Sequence, residues 1–422
     1  MPCPGTGRFY LSLLMTIAIL IVICSLLLFA YIFDLTASRT RIPSVILLLI
    51  LGWALRQQTN MLESFIPDLA KLLPILGTLG LILIVLDGTL ELELNNSKKN
   101  LIARSVFASL VPILLLSFLL AFAFIYFIPG LSLTDALTNA LPFSVISSAI
   151  AIPSARHLST ANREFITYES SLSDIFGVIL FNFIALNQLN QSTSFLQSGL
   201  QLLIMIAVSF LATVLLAFLL GRIDHKIKFI PIILLVLLIY SVAKLYHLPA
   251  LIFILIFGVI LGNIDELKKF RWMNKLNLYS LNTEVIKFKE ITGEATFLIR
   301  ALFFLLFGFL IETSELLNTD TLVWALGIVV TALIIRAVIF KLAKIELFPM
   351  LFIAPRGLIN ILLFLSIVPA QNIPLVNKSL MLQVILLSAA VLMFGLIFTK
   401  KNKAEITDEK VITTTDEPAT IQ

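Results

Sequence analysis

The chain has 422 residues, 59% hydrophobic and 13% charged, with a mean hydropathy of +1.05. Soluble globular domains run about 45–50% apolar and about 25% charged, so this chain has too few charges to cover a water-soluble globule of its size. Disorder, a disulfide scaffold and a collagen-like fibre are excluded by the same composition. The net charge of +5 could suggest an acidic partner. The basic residues, however, lie between apolar segments rather than on one face, so no nucleic-acid partner is expected and the bilayer is the expected surrounding. Cys3 and Cys24 form no metal-ligand spacing. The reading is an all-α polytopic membrane protein.

A span needs about 20 mostly apolar residues to cross roughly 30 Å of hydrocarbon. Thirteen runs fit, at about 10–33, 41–55, 71–90, 101–128, 135–155, 165–186, 196–220, 228–246, 248–263, 295–312, 321–342, 346–369 and 379–399. The first is too long for a signal-peptide core and no small-residue cleavage site follows, so it reads as a span. Only His247-Leu248-Pro249 separates the eighth run from the ninth, which leaves twelve as the alternative count.

The positive-inside rule tests that count. With the N-terminus outside, the cytoplasmic connections carry 22 of the 30 Lys and Arg, and the outside set is only Arg8, Arg56, Lys71, Lys244 and Lys378. A miscounted span would scramble this alternation. The predicted topology therefore has the N-terminus outside, the C-terminus cytoplasmic, and the chain in the plasma (inner) membrane. The connection at about 264–294 mixes Lys and Arg with Phe270, Trp272 and Tyr279, a composition suited to an interfacial segment on anionic lipid. The polar, Thr-rich segment 400–422 reads as a short disordered cytoplasmic tail with no attached regulatory domain.

Six charges remain inside apolar runs: Asp87, Glu169, Asp174, Arg300, Arg336 and Arg356. Each costs about 2.5–3.5 kcal/mol at a helix centre on insertion scales, so such residues face a bundle interior or a watery cavity and find partners. Prolines interrupt two spans. The fifth contains Pro142 and Pro153 with Ser147 and Ser148 between them, and the twelfth contains Pro349 and Pro355-Arg356-Gly357. A kinked helix would explain either one alone. Spans five and twelve cross in opposite directions, and interruptions in corresponding places of two inverted-topology repeats point to a transporter with a midplane site and a pair of crossing discontinuous helices. The sixth span opens Tyr168-Glu169-Ser170-Ser171-Leu172-Ser173-Asp174. Carboxylate and hydroxyl oxygens suit a small hard cation such as Na⁺. A carboxylate held out of water binds a proton or a cation but hardly both, which is all an exchanger needs for coupling; a structural Asp–Arg pair is the alternative.

These residues resemble one family. Tyr168 to Asp174 resembles the Gly-Glu-Ser-Leu-x-Asn-Asp motif of the cation:proton antiporters, sodium/proton exchanger branch. Ala354-Pro355-Arg356-Gly357-Leu358 resembles its Gly-x-Arg-Gly motif, and Leu333-Ile334-Ile335-Arg336-Ala337 its Ile-Ala-Arg-Ala segment. Leu83 to Leu92, with Asp87-Gly88 at its centre, is similar to the family's acidic third helix. The four matches occur in family order across residues 80–370. Two positions depart from the pattern: Ser173 stands where the family has Asn, and Ala151-Ile152-Pro153 stands where it has Thr-Asp-Pro at the first helix break. The missing Asp normally offsets a half-helix N-terminus.

The resemblance implies that Asp174 is the essential carboxylate, with Ser170, Ser173 and Asp87 at or near the cation. It implies that Glu169 pairs with Arg336, and that Pro153, Ala151, Ile152, Pro355, Arg356 and Gly357 form the helix crossover. Arg300 has no firm motif and reads as a core-stabilising or a snorkelling cation. Residues 1–399 would form the exchanger domain, with a core at about 101–186 and 321–399 moving against a scaffold at about 10–90 and 228–312, in a homodimer. The expected function is exchange of Na⁺ (or K⁺ or Li⁺) for H⁺ by alternating access, electroneutral because one carboxylate favours one proton per cation. A K⁺/H⁺ antiporter and a non-transporting sensor or scaffold protein are the other readings. No enzyme is indicated, because His157, His225 and His247 sit at or near span ends and no hydrolase, zinc or phosphate-loop motif occurs, so no cofactor is expected.

Overall fold

The computed structural model describes residues 6–40, 42–59, 72–94, 96–186, 192–222, 229–246, 250–264 and 278–398. All regular structure among them is helical: α1 (Thr6–Thr40), α2 (Ser44–Thr59), α3 (Leu72–Leu90), α4 (Lys99–Phe127), α5 (Leu133–Ser144), α6 (Ser148–Ser154) and α7 (Thr160–Leu186). Then follow α8 (Ser192–Arg222), α9 (Phe229–Leu245), α10 (Leu251–Gly262), α11 (Leu278–Phe309), α12 (Thr319–Leu342), α13 (Leu358–Leu365) and α14 (Lys378–Ile397), with single turns between some of them. Among the described residues eight helical segments are long and apolar enough to cross a membrane, with α5 and α6 taken together, and α2, α9 and α10 are shorter apolar helices. The chain is a multi-pass membrane protein.

Capping residues mark several starts. Ser132 accepts from the Asp135 N–H at 3.0 Å, Asn318 from the Asp320 N–H at 3.1 Å and Asn377 from the Leu380 N–H at 3.0 Å, which satisfies donors a helix start leaves open. Hydroxyls inside apolar helices bond back to their own chain, as Ser117 does to the Ile113 carbonyl at 2.6 Å and Thr213 to the Ser209 carbonyl at 2.7 Å. The connection read as interfacial is in part helix: α11 begins at Leu278, and Glu284 and Lys287 pair at 3.5 Å one turn apart on it. Glu and Lys are good helix formers, so the span's helix extends several turns beyond its apolar part. Phe270, Trp272 and the tail 400–422 lie outside the described residues.

The helices pack in two groups. α2 and α3 lie against α11, and α10 against α3 and α8, while α4 packs on α5, α7 and α12, α12 on α14, and α7 on α5 and α6. Contacts between the groups run through α3 to α7 and α13, α10 to α7, and α1 to α6. Within the first group the helices approach backbone to backbone. A Cβ on Gly52 of α2 would lie 2.2 Å from the Leu305 carbonyl oxygen of α11, and one on Gly308 2.4 Å from the Leu49 carbonyl oxygen. On α10, Gly262 meets the Leu90 backbone of α3 in the same manner, while Gly258 meets the Thr89 side chain. Between the groups, Gly77 and Gly80 of α3 face side-chain atoms, the ends of Leu362 and Leu358 of α13, with Phe303 and Ile299 of α11 also within 4 Å.

Gly52→Ala is expected to lower stability by about 1–3 kcal/mol, because a backbone neighbour cannot yield. Gly327→Ala on exposed α12, with nothing within 4 Å of the added carbon, is expected to leave it unchanged or raise it slightly. Thermal unfolding of the purified variants in one detergent measures both.

Candidate functional site

The centre of the second group is a crossing of two interrupted helices. The first interruption is Val145-Ile146-Ser147, between α5 and α6, and the second is Ile353 to Gly357, between a single 3₁₀ turn (Met350–Phe352) and α13. Pro355, Arg356 and Gly357 thus stand in the second interruption. Ala151, Ile152 and Pro153 do not stand in the first: they are helical, inside α6. Three residues, Ser148, Ala149 and Ile150, separate the observed break from the expected one, because the break falls where side chains satisfy the freed backbone groups rather than at the proline.

Those groups can be followed one by one. The Ile146 N–H donates to Ser173 Oγ at 2.8 Å, and the Ser147 N–H donates to the Pro355 carbonyl at 2.9 Å, where the two chains cross. Asn360 Nδ2 donates to the Pro142 carbonyl at 2.7 Å and the Val145 carbonyl at 2.8 Å, while its Oδ1 accepts from the Gly357 N–H at 2.6 Å. Arg356 Nε donates to the Phe143 carbonyl at 3.0 Å, its Nη1 to the Ala354 carbonyl at 2.6 Å, and its own N–H reaches Ser388 Oγ at 3.0 Å. A Cβ on Gly357 would lie 2.8 Å from Ser147 Oγ and 2.7 Å from Ile150 Cδ1, so the crossing leaves no room for a side chain there.

Asp174 reaches this crossing from α7 and is 3% exposed. Its Oδ2 accepts from the Ser148 N–H at 3.2 Å and from the Ser148 hydroxyl. Its Oδ1 is buried without a hydrogen-bond partner among the described residues, and so are Ser171 Oγ and Ser147 Oγ. Asp174, Ser171 and Ser148 line one closed crevice with Ile84, Val85, Gly88 and Thr89 of α3, with no room for a water in this conformation. Ser170 and Ser173, expected beside Asp174, do not line it. Ser170 Oγ bonds back to the Ile166 carbonyl at 2.7 Å and Ser173 Oγ serves the Ile146 N–H. On α7 residues 171, 174 and 175 face α3, and that phase puts Ser171 where Ser170 was expected.

One turn before Ser173, Glu169 forms a bidentate pair with Arg336 of α12, at 2.5 and 2.7 Å. Arg336 also donates to the Met350 carbonyl at 3.0 Å and the Ile353 carbonyl at 3.2 Å, and lies 4.2 Å from the Phe340 ring centroid. The pair therefore ties α7 and α12 to the turn that leads into the second interruption. Tyr168, next in the motif, donates to the Glu93 carbonyl at 2.7 Å and accepts from the Glu93 N–H at 3.1 Å, which holds the strap after α3. Lys98 on that strap pairs with Glu93 at 2.7 Å, and this hydrogen bond raises the ammonium's pKa above its ordinary value.

Two cavities flank the crevice. One of about 670 Å³ lies between α1, α3, α6 and α11 and is lined by Asp34, Asp87, Glu91, Arg156 and Arg300 among others. It shares Ile84, Gly88 and Ser148 with the crevice, so Asp87 stands on the approach rather than beside Asp174. The other, about 430 Å³, lies toward the opposite ends of α3 and α7 and is lined by Thr78, Leu81, Val178, Phe181 and Lys244 among others. Arg300 Nη1 donates to the Ala149 carbonyl of α6 at 3.2 Å. Asn360, Ser148 and Ser171 carry this arrangement without having been expected in the site: Ser171 lies within the sixth-span motif and Ser148 between the prolines of the fifth span, while Asn360 is signalled only as a polar residue in an apolar run.

Removing one partner of a buried ion pair strands the other, at about 3–5 kcal/mol. Glu169→Gln is expected to destabilise by that amount, and adding Arg336→Gln to recover part of it. A double-mutant cycle on unfolding free energies reads the coupling.

The sequence profile described as sodium/hydrogen exchanger, transmembrane, matches residues 23–400. No curated protein matches the sequence. Among solved structures, that of the sodium proton antiporter MjNhaP1 from Methanocaldococcus jannaschii at pH 8 is similar, at a TM-score of 0.64 and 17% identity over 96% of this chain and 100% of that one. An electron-microscopy structure of the same antiporter gives a TM-score of 0.66 and 18% identity, over 97% and 100%. At such identity the likeness speaks for the fold, whereas the profile match spans nearly the whole chain. The chain belongs to the sodium/hydrogen exchanger family.

Proposed function

We propose that this protein exchanges a monovalent cation, Na⁺ first, for H⁺ across the plasma (inner) membrane, in the service of pH and sodium homeostasis, with Asp174 as the group that carries either ion. The observation that carries this reading is the buried Asp174 Oδ1, without a partner among the described residues, in one crevice with the Ser171 hydroxyl, likewise without one. A buried polar oxygen without a partner is rare, and oxygens of this kind are what a small hard cation requires. A proton on Asp174 or a cation beside it would each satisfy the vacancy, and each excludes the other. With one such carboxylate, one proton leaves per cation bound, and no net charge moves. An electroneutral cycle forgoes the membrane potential, about 2.3 kcal/mol per charge per 100 mV, and runs on the two concentration gradients.

Access follows from the packing. The core, about 101–186 and 321–399, would move as one body against the scaffold, about 10–90 and 228–312. The scaffold's backbone-close contacts through Gly52, Gly308 and Gly262 suit a rigid frame, and the side-chain contacts of α3 with α7 and α13 suit a sliding surface. Such a movement would uncover Asp174 to the acid-lined cavity or to the opposite one in turn. With the N-terminus outside and the C-terminus cytoplasmic, the acid-lined cavity opens inward. The ion pairs Arg56–Glu312 at 3.4 Å and Arg156–Asp34 at 3.7 Å each join segments that this topology puts on one side. A homodimer is the assembly that the resemblance implies.

The test is cation-driven proton flux in proteoliposomes, read with a trapped pH dye. Wild type is expected to exchange Na⁺ for H⁺, Asp174→Asn to abolish it, and Ser171→Ala to raise the half-saturating Na⁺ concentration about tenfold, the worth of one oxygen ligand. An imposed diffusion potential is expected to leave the initial rate unchanged. Flux retained in Asp174→Asn would overturn the assignment.

A further inference from the structure

Arg300 belongs to none of the matched motifs, yet it meets the crossing at a position with its own chemical logic. In an α-helix the carbonyl of residue 149 accepts from the N–H of residue 153. Here residue 153 is proline, which has no N–H. The Ala149 carbonyl, on the wall of the acid-lined cavity, is therefore left without its i+4 helix donor. Arg300 Nη1, arriving from α11 in the other helix group, donates to that carbonyl at 3.2 Å. Ala149 directly follows Ser148, whose N–H and hydroxyl both reach Asp174 Oδ2. The same guanidinium lies 6.0 Å from the Phe297 ring centroid and shares its cavity with Asp34, Asp87, Glu91 and Arg156.

We propose that Arg300 is a positioning residue, which replaces the helix donor that Pro153 lacks and so holds α6 in the register that presents Ser148 to Asp174. Because the bond crosses from α11 to α6, it also joins the two helix groups beside the crevice. Movement between them would have to break it, and releasing Ala149 would loosen Ser148's hold on Asp174. The Pro153–Arg300 pair thus links displacement of the groups to the environment of the ion-carrying group. This inference rests on the exchange reading of Asp174.

A cycle of R300A and P153A tests it, because P153A returns an N–H to the Ala149 carbonyl. In the natural background R300A is expected to raise the half-saturating Na⁺ concentration about tenfold, with a smaller fall in maximal rate; in the P153A background the same change is expected to be under about threefold. R300K, which keeps a donor, is expected to recover part of the affinity. Unfolding midpoints of the four proteins give a readout free of transport, with R300A destabilising less when P153A is present. An equal penalty in both backgrounds would overturn the proposal and leave Arg300 as a charge that balances the acids of its cavity. If R300A does not fold, R300Q takes its place in the same cycle. Absence of sodium-coupled flux in wild type would instead overturn the exchange reading, while the unfolding cycle would still decide the role of Arg300.

Discussion

The arrangement depends on one constraint: a helix interrupted inside a bilayer exposes backbone donors and acceptors that no water can reach, at several kcal/mol each. The chain meets it with side chains delivered from other helices. Asn360 serves two carbonyls and one N–H, Arg356 serves Phe143 and Ala354, Arg336 serves Met350 and Ile353, and Ser173 serves Ile146. Each of these residues is costly in hydrocarbon alone and is stable here because the interruption needs it. The crossing and its polar shell therefore stand or fall together.

Within that shell the ionic residues divide by how completely they are satisfied. Glu169 and Arg336 are 1% and 2% exposed; both Glu169 oxygens accept from Arg336, which also donates to the Met350 and Ile353 carbonyls. Asp174 is as deeply buried and only half satisfied, since one oxygen holds Ser148 and the other holds nothing among the described residues. Two carboxylates five residues apart on one helix thus have opposite characters, one locked and one open. What separates them is the neighbour across the interface: an arginine for Glu169, and the apolar face of α3 with Gly88 for Asp174.

The helix groups divide in a related way. Where helices meet at Gly52, Gly308 and Gly262, the contact is backbone on backbone and leaves little room for displacement. Where α3 meets α7 and α13, leucine ends and a serine hydroxyl form the surface, and these can exchange neighbours at small cost. A stiff frame next to a smoother seam, with a half-satisfied carboxylate on the seam, is a sound physical basis for exposing one group to two sides.

Much of this was legible in the linear order of residues. Apolar length and scarce charge determine an all-helical, multi-pass membrane protein, since 59% hydrophobic residues suit hydrocarbon rather than water and runs of about 20 satisfy their own backbone there as helices. The cost of intramembrane charge singles out Asp87, Glu169, Asp174, Arg300, Arg336 and Arg356, and their motif context indicates the family. Proline marked the first interruption less well: Pro153 sits inside α6, and the break is at Val145–Ser147, because Ser173 and Asn360 supply partners there. The same holds for Ser171 against Ser170, which differ by one step of helix phase, and for the donor that answers Pro153. Residue type and local pattern decide where a polar group is, while its partner lies on another helix, 26 to 215 positions away. Only the packed helices decide which carbonyl Arg300 meets and which oxygen of Asp174 remains open.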